Sequence, residues 1–266
     1  MSTTRDYPTD LTEAQWTLLV ALLPARKWRV GGPGRPPCNV RGVLNGILYL
    51  LKTGCQWRML PREFGKWSTI YAYCKCWRRE GVWAHLMEAL RQWERRRVGR
   101  QPEPSAGSVD SQSIKTATQG SAVGFDGGKK IKGRNRHLLV DTLGLIIAVV
   151  VTAANTDDRL GLVVLLTRYF AGGVKRRRKL WVDGGYRAEG LALWVGELKR
   201  THKIDLEVTD KAGPGFQVIP WRWTVERTFA WLLNDRRHSR DYERLTVNSE
   251  AMVHLSMIRL LLNRLA

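Results

Sequence analysis

Residues 179–187 read Lys-Leu-Trp-Val-Asp-Gly-Gly-Tyr-Arg. A basic run over 175–179 leads into a short apolar segment that stops on one carboxylate, Asp183, followed at once by Gly184 and Gly185. Short apolar runs bounded by turn residues read as buried strands, so Asp183 is expected at a strand tip. The two glycines permit close approach of another chain or a phosphate. An acid in that place, amid so much positive charge, needs a partner, and a divalent cation is the obvious one.

Downstream, the pattern predicts a helix near 188–200, a short strand near 204–208 and a loop over 213–220. A segment of helical spacing follows over 221–233, Trp-Arg-Trp-Thr-Val-Glu-Arg-Thr-Phe-Ala-Trp-Leu-Leu, with Glu226 at its middle. A last helix over about 249–265, capped by Asn248, carries Met252, Leu255, Ile258, Leu262 and Leu265 as an apolar stripe for core packing or a subunit contact. Upstream, a helix is expected over 157–170, capped by Thr156 or Asp157. Before it, strands over 137–141 and 145–152 are joined by the turn Asp141-Thr142-Leu143-Gly144, a hairpin signal. Residues 120–136 read as a long, glycine-rich, strongly basic loop. Residues 108–115, Ser-Val-Asp-Ser-Gln-Ser-Ile-Lys, give a further short strand that carries Asp110.

The first third has a different rhythm. Helices are expected over 9–24, 40–53, 68–79 and 82–97. Thr12 and Gln15 stand at capping-box spacing, and Leu11 and Trp16 as a hydrophobic staple. The Gly/Pro/Arg stretch 26–37 is a linker or a basic arm. Helices 40–53 and 68–79, the latter with a basic and aromatic exposed side, fit a helix-turn-helix reader or a plain helical bundle. Gly, Pro and Ser cluster over 99–107 and set the boundary between residues 1–100 and residues 104–266. Pattern alone supports α/β with a mixed sheet for the second part.

The chain has 266 residues and a net charge of +20. A surface so positive points to nucleic acid, although ribosomal and membrane-surface proteins share the property. Twelve tryptophans and an apolar fraction of 44% exclude a disordered basic tail. Cys38, Cys55, Cys74 and Cys76 form no Cys-x-x-Cys pair and lie far in sequence from the histidines, so free thiols in a reducing compartment are expected rather than zinc. With no apolar signal segment and no apolar run long enough to cross a bilayer, a cytoplasmic protein is expected.

Asp110, Asp183 and Glu226, in that order on strand, strand and helix, resemble the triad of DDE transposases with an RNase H-like core. The Arg-x-x-x-Glu at Arg222 and Glu226 looks like part of the Tyr-Arg-Glu-Lys signature of insertion-sequence transposases of the IS4/IS5 type. The whole chain is similar to the IS5 family. At the signature's tyrosine position this sequence has Ile219, and at its lysine position Leu233. The resemblance implies an RNase H-like mixed-sheet catalytic domain preceded by an all-helical N-terminal DNA-binding domain. It also implies two Mg²⁺ or Mn²⁺ ions per site, with Asp110 bridging both and Asp183 and Glu226 each completing one. Oxygen ligands suit these ions, and a pair of them activates the attacking and leaving oxygens of a phosphodiester. The implied activity is binding of terminal inverted repeats in double-stranded DNA, hydrolysis at the element's ends, and transfer of the 3′-hydroxyls to target DNA. Joining two ends implies at least a homodimer, associated with the nucleoid when bound.

DNA contacts are expected from Arg35, Thr69, Tyr73, Lys75, Arg78 and Arg79 in the helical part. In the catalytic part they are expected from Lys129, Lys130, Lys132, Arg134, Arg136, the run 175–179, Arg187, Arg222, Trp223, Arg236 and Arg237. Arg222 either orients Glu226, holds a phosphate or makes an ordinary intrahelical ion pair. Trp221, Trp223 and Trp231 are candidates for stacking on bases, though aromatics at helical spacing are more often core. Among the other acids, Asp157 and Asp158 are the nearest rivals of the triad, with Asp126, Asp141 and Asp210 behind them. The alternatives left open are a nuclease on the same fold without strand transfer and a non-catalytic DNA-binding protein. A glycoside hydrolase with paired carboxylates is remote at this charge.

Overall fold

Four helices precede the first strand in the computed structural model, which describes residues 7–24, 39–117, 120–173, 176, 178–186, 189–209 and 220–266, the side chains of 189–192 and 220 aside. They are α1 (Glu13–Val20), α2 (Val40–Thr53), α3 (Trp67–Arg79) and α4 (Val82–Arg97). At the start of α1, Thr12 and Gln15 cap one another's backbone N–H groups reciprocally at 3.1 Å, as their spacing predicts. Asn39 caps α2, which ends on Gly54 with φ 70°, the left-handed turn that glycine adopts without strain. Between α2 and α3 the chain makes two single 3-10 turns, Trp57–Met59 and Arg62–Phe64.

The strands are β1 (Ala106–Lys115), β2 (Gly124–Asp126), β3 (Ile131–Asp141), β4 (Ile146–Ala153), β5 (Lys179–Asp183) and β6 (Asp205–Thr209). They alternate with α5 (Asp158–Phe170), α6 (Glu189–His202), α7 (Pro220–Leu233) and α8 (Thr246–Leu265). One mixed sheet runs β2-β3-β1-β5-β6, with β4 also paired to β3. β3 is antiparallel to β1, β2 and β4, whereas β1, β5 and β6 are mutually parallel. The expected basic loop over 120–136 is therefore a hairpin in large part. Its glycines and charges read as loop, but backbone pairing of β3 with β1 on one side and with β2 on the other holds it as strand.

Two apolar layers cover the sheet. On one face Val109, Leu139, Val150, Leu180 and Val182 pack with Leu162, Leu165 and Leu166 of α5. On the other, Leu138, Val140 and Val149 join Val225 and Phe229 of α7 and Leu255, Ile258 and Leu262 of α8. That second core continues without a break into Ile47, Leu51, Ile70, Trp83 and Leu90 of the N-terminal helices. The chain near residue 100 changes from helices to strands while the core runs on across it. The C-terminal stripe packs inside the chain, since Met252, Leu255, Ile258 and Leu262 are buried. Among the described residues no helix is long and apolar enough to cross a membrane. Cys55, Cys74 and Cys76 are free, and burial pushes the Cys74 thiol up to about 12.

Candidate active site

Side-chain alternation fixes where the first two acids stand. The β1–β5 ladder pairs Ser108 with Trp181, and two residues further along each parallel strand are Asp110 and Asp183. Residues at matching register on parallel strands share a face, so the two carboxylates lie side by side at the end of the ladder. The helix α7 packs across β1 and β5 on that face. It buries Val225, Phe229 and Leu232 and leaves Glu226 exposed. Trp181 and Trp221 stack at 4.2 Å with an interplanar angle of 2°, which anchors the start of α7 to β5.

Arg222 links the two outer acids. Its Nε donates to Glu226 Oε1 at 3.0 Å, and its Nη2 lies 3.8 Å from Asp183 Oδ2. Asp183 also accepts from the Gly185 N–H at 2.8 Å, the local use of the glycine pair. Asp110 is half-buried. Burial pushes its carboxyl up to about 6; the Ser111 N–H at 2.7 Å opposes that, Asp183 and Glu226 raise it further, and Arg222 lowers it. All three acids and Arg222 thus share one electrostatic neighbourhood. Their donor chemistry, carboxylate oxygens with a deficit of positive charge at Asp110, fits a hard divalent cation. Among the described residues no three His, Cys, Asp or Glu side chains stand at metal-ligating spacing, and Arg222 lies between Asp183 and Glu226.

The rival acids divide. Asp157 caps α5 and pairs with Arg159, and Asp141 is buried against Arg95 and caps its own turn. Asp158 comes to the site's edge, where Ser111, the neighbour of Asp110, donates to it at 2.6 Å. It lines a groove of about 390 Å³ with Phe125, Asp126, Asn135, Asn155 and Gly185. Sequence reasoning missed Tyr186, whose buried hydroxyl is held protonated by burial and by Asp110, Asp158 and Asp183. Its signal was its place three residues after Asp183. Asp210 lies outside the described residues.

The expected DNA contacts are spread more widely. Lys75 and Arg79 are exposed on α3, Thr69 and Arg78 are half-buried, and Tyr73 packs edge-on against Trp77. Lys129, Lys130, Lys132 and Arg236 are exposed, as are Trp221 and Trp223, whereas Trp231 is covered by Arg227 and Arg264. Three arginines are corrected. Arg134 is fully buried, with its guanidinium on Asp241, Ser249 and the carbonyls of Ser121, Glu243 and Arg244. Arg136 is buried beside it, and Arg237 is buried on Glu243 and the Cys55 carbonyl. A segment over a hundred residues away covers the first two, so their strand position alone gave a false reading. Arg35, Arg187 and Ile219, with residues 175 and 177 of the basic run, lie outside the described residues.

With this geometry in place, known families bear on it directly. Residues 101–261 match the transposase DDE domain family, a span that includes Asp110, Asp183 and Glu226. Residues 11–87 match the family described as transposase of the IS4/5 family. The chain is 41% identical over 112 residues to an uncharacterized 16.2 kDa protein of insertion element IS402 from Burkholderia cepacia, over 41% of this chain and 75% of that protein. No solved structure matches.

Proposed function

This chain belongs to the IS4/IS5-type DDE transposases, and we propose that it cuts DNA at the ends of its own insertion sequence and joins the freed 3′-hydroxyls to target DNA. The observation that supports the reading is that Asp110 and Asp183 lie on the sheet face that α7 crosses, with Arg222 of that helix 3.0 Å from Glu226 and 3.8 Å from Asp183. Antiparallel β4, β3 and β1 followed by parallel β5 and β6 support an RNase H-like core over residues 104–266. Exposed Lys75 and Arg79 on α3 support binding of terminal inverted repeats by residues 1–100.

Asp110, Asp183 and Glu226 would hold Mg²⁺ or Mn²⁺, which supplies Lewis-acid activation of the attacking and leaving oxygens when bound. The protein's own residues do the rest. Arg222 gives the outer carboxylates a cation until one is provided, and then is free for a phosphate oxygen. Lys129, Lys130, Lys132, Arg187, Arg236 and the 175–179 run provide backbone contacts that carry affinity without sequence information. The half-buried setting of Asp110 keeps bulk water from screening those charges. Joining two ends requires at least two copies on the DNA.

The test is cleavage of a duplex carrying the sequence that borders the gene, with Mg²⁺, by wild type and Asp183→Ala. Nicking at the element boundary that the substitution abolishes supports the reading, and joining of pre-cut 3′-OH ends to a plasmid separates transposase from nuclease. Binding without cleavage by either protein, over several ends and both metals, would move the assignment to a DNA-binding module.

A further inference from the structure

The hairpin of β2 and β3 stands out on three counts. Phe125 at its edge is exposed to 58%, on a strand of three residues. It lines two grooves at once. One is the acidic groove with Asp126, Asp158 and Gly185. The other, of about 660 Å³, is lined by Lys115, Thr116, Gly120, Lys130, Lys132 and Arg240. All four cations of this second groove are exposed, and none pairs with an acid among the described residues.

The hairpin is also held stiffly. The Asp126 carboxylate accepts from the Gly128 and Lys129 N–H groups at 3.0 and 2.9 Å and from Ser113 Oγ at 3.0 Å, tying turn and β1 together. Asn155 packs so closely on Gly124 that a Cβ there would collide with it. Lys130 adopts φ 52°, a left-handed turn conformation that disfavours a residue with a side chain. An exposed aromatic on a rigid mount beside a basic groove whose cations meet no acid among the described residues is the pairing that binds a single nucleic-acid strand: rings take base faces, cations take phosphates. A duplex backbone alone would use the lysines and leave the ring in water.

Resting on the function proposed above, we infer that this hairpin is a platform for unpaired DNA next to the cut. A base stacks on Phe125, and the strand's phosphates follow Lys115, Lys130, Lys132 and Arg240. Lys115 is five residues from Asp110 along β1, roughly 17 Å, a span of a few nucleotides.

The experiment compares full-length protein binding to two probes that carry the gene-bordering sequence, one blunt and one ending in an unpaired fork of thymidines. Wild type is expected to prefer the fork. Phe125→Ala is expected to lose roughly tenfold of that fork-over-blunt ratio, with Phe125→Trp restoring it. Lys130→Ala with Lys132→Ala is expected to make the salt slope for the fork shallower by about 1.4, two single-strand contacts. Equal binding of both probes by wild type, or a ratio unmoved in Phe125→Ala, overturns the platform and leaves the transposase reading standing. Failure of wild type to bind either probe overturns both.

Discussion

Arg222 and Glu226 are joined by a hydrogen bond of 3.0 Å one helical turn apart, and the same guanidinium stands 3.8 Å from Asp183. A positive side chain therefore holds ground between two carboxylates that the metal reading needs for itself. Arg222→Gln is expected to raise Mn²⁺ affinity a few-fold, because the competing charge is gone, and to reduce cleavage. Counting free Mn²⁺ by electron paramagnetic resonance reads the first, and a gel assay the second. A fall in Mn²⁺ affinity would mean that the arginine organises the ligands. Stability should change by only about 0.5 kcal/mol, the usual worth of an exposed pair at this spacing.

Asp110 carries a cost that the proposed metal-binding role would explain. Its folded value, about 6, lies above the ordinary 3.8. The ionised form is thus disfavoured in the fold, and the metal-free protein loses stability as pH rises between those values. Asp110→Asn should be more stable than wild type by up to roughly 2 kcal/mol at pH 7.5 without metal, and no more stable near pH 4. Urea denaturation at the two pH values decides it. The same variant should not cut DNA.

His137 works in the opposite direction. Burial lowers it to about 4, with Asp158 raising it and Lys129 lowering it. Its neutral form is favoured in the fold, so its contribution is complete above about 6.5 and disappears as pH falls through 4. Replacement by Gln should flatten the urea midpoint between pH 7 and pH 5 by roughly 2 kcal/mol of stability. His254, lowered to about 4 by burial alone, should supply a second, additive part of that acid loss.

Arg134 and Lys132 lie two residues apart on β3 and should respond in opposite assays. Arg134→Met leaves Asp241 buried without its cation, a loss of about 3–5 kcal/mol and on the order of 10 °C in melting temperature. Lys132→Met should melt within about 1 °C of wild type, since surface changes stay within roughly 0.5 kcal/mol, and should weaken DNA binding. Calorimetry and fluorescence anisotropy on both variants test the division.

How far the sequence spoke depended on how local each signal was. The strand ending on Asp183, the capping box at Thr12 and the hairpin turn at Asp141 are written within a few residues, and each is present as read. The places of Asp183 and Glu226 were legible because a strand tip followed by glycines, and an Arg-x-x-x-Glu on a helix, need no distant partner to be seen. Arg134 and Arg136 were not, because the segment 238–249 that buries them arrives from the far end of the chain. Asp158 became part of the site's edge only through Ser111, on a strand 47 residues earlier. Gly161 tells the same story: a Cβ there would collide with the His137 ring, a closeness that no pattern within α5 announces.

The bonds of Arg134 also set a timetable. Its partner Asp241 is made 107 residues later, roughly 5–20 s at ordinary rates of synthesis. Until then the β3 guanidinium has no acid to meet, and the bridge from Thr116 to Asp241 cannot close. A nascent chain short of residue 241 therefore holds β3 without the carboxylate and the strand bridge that later fasten it.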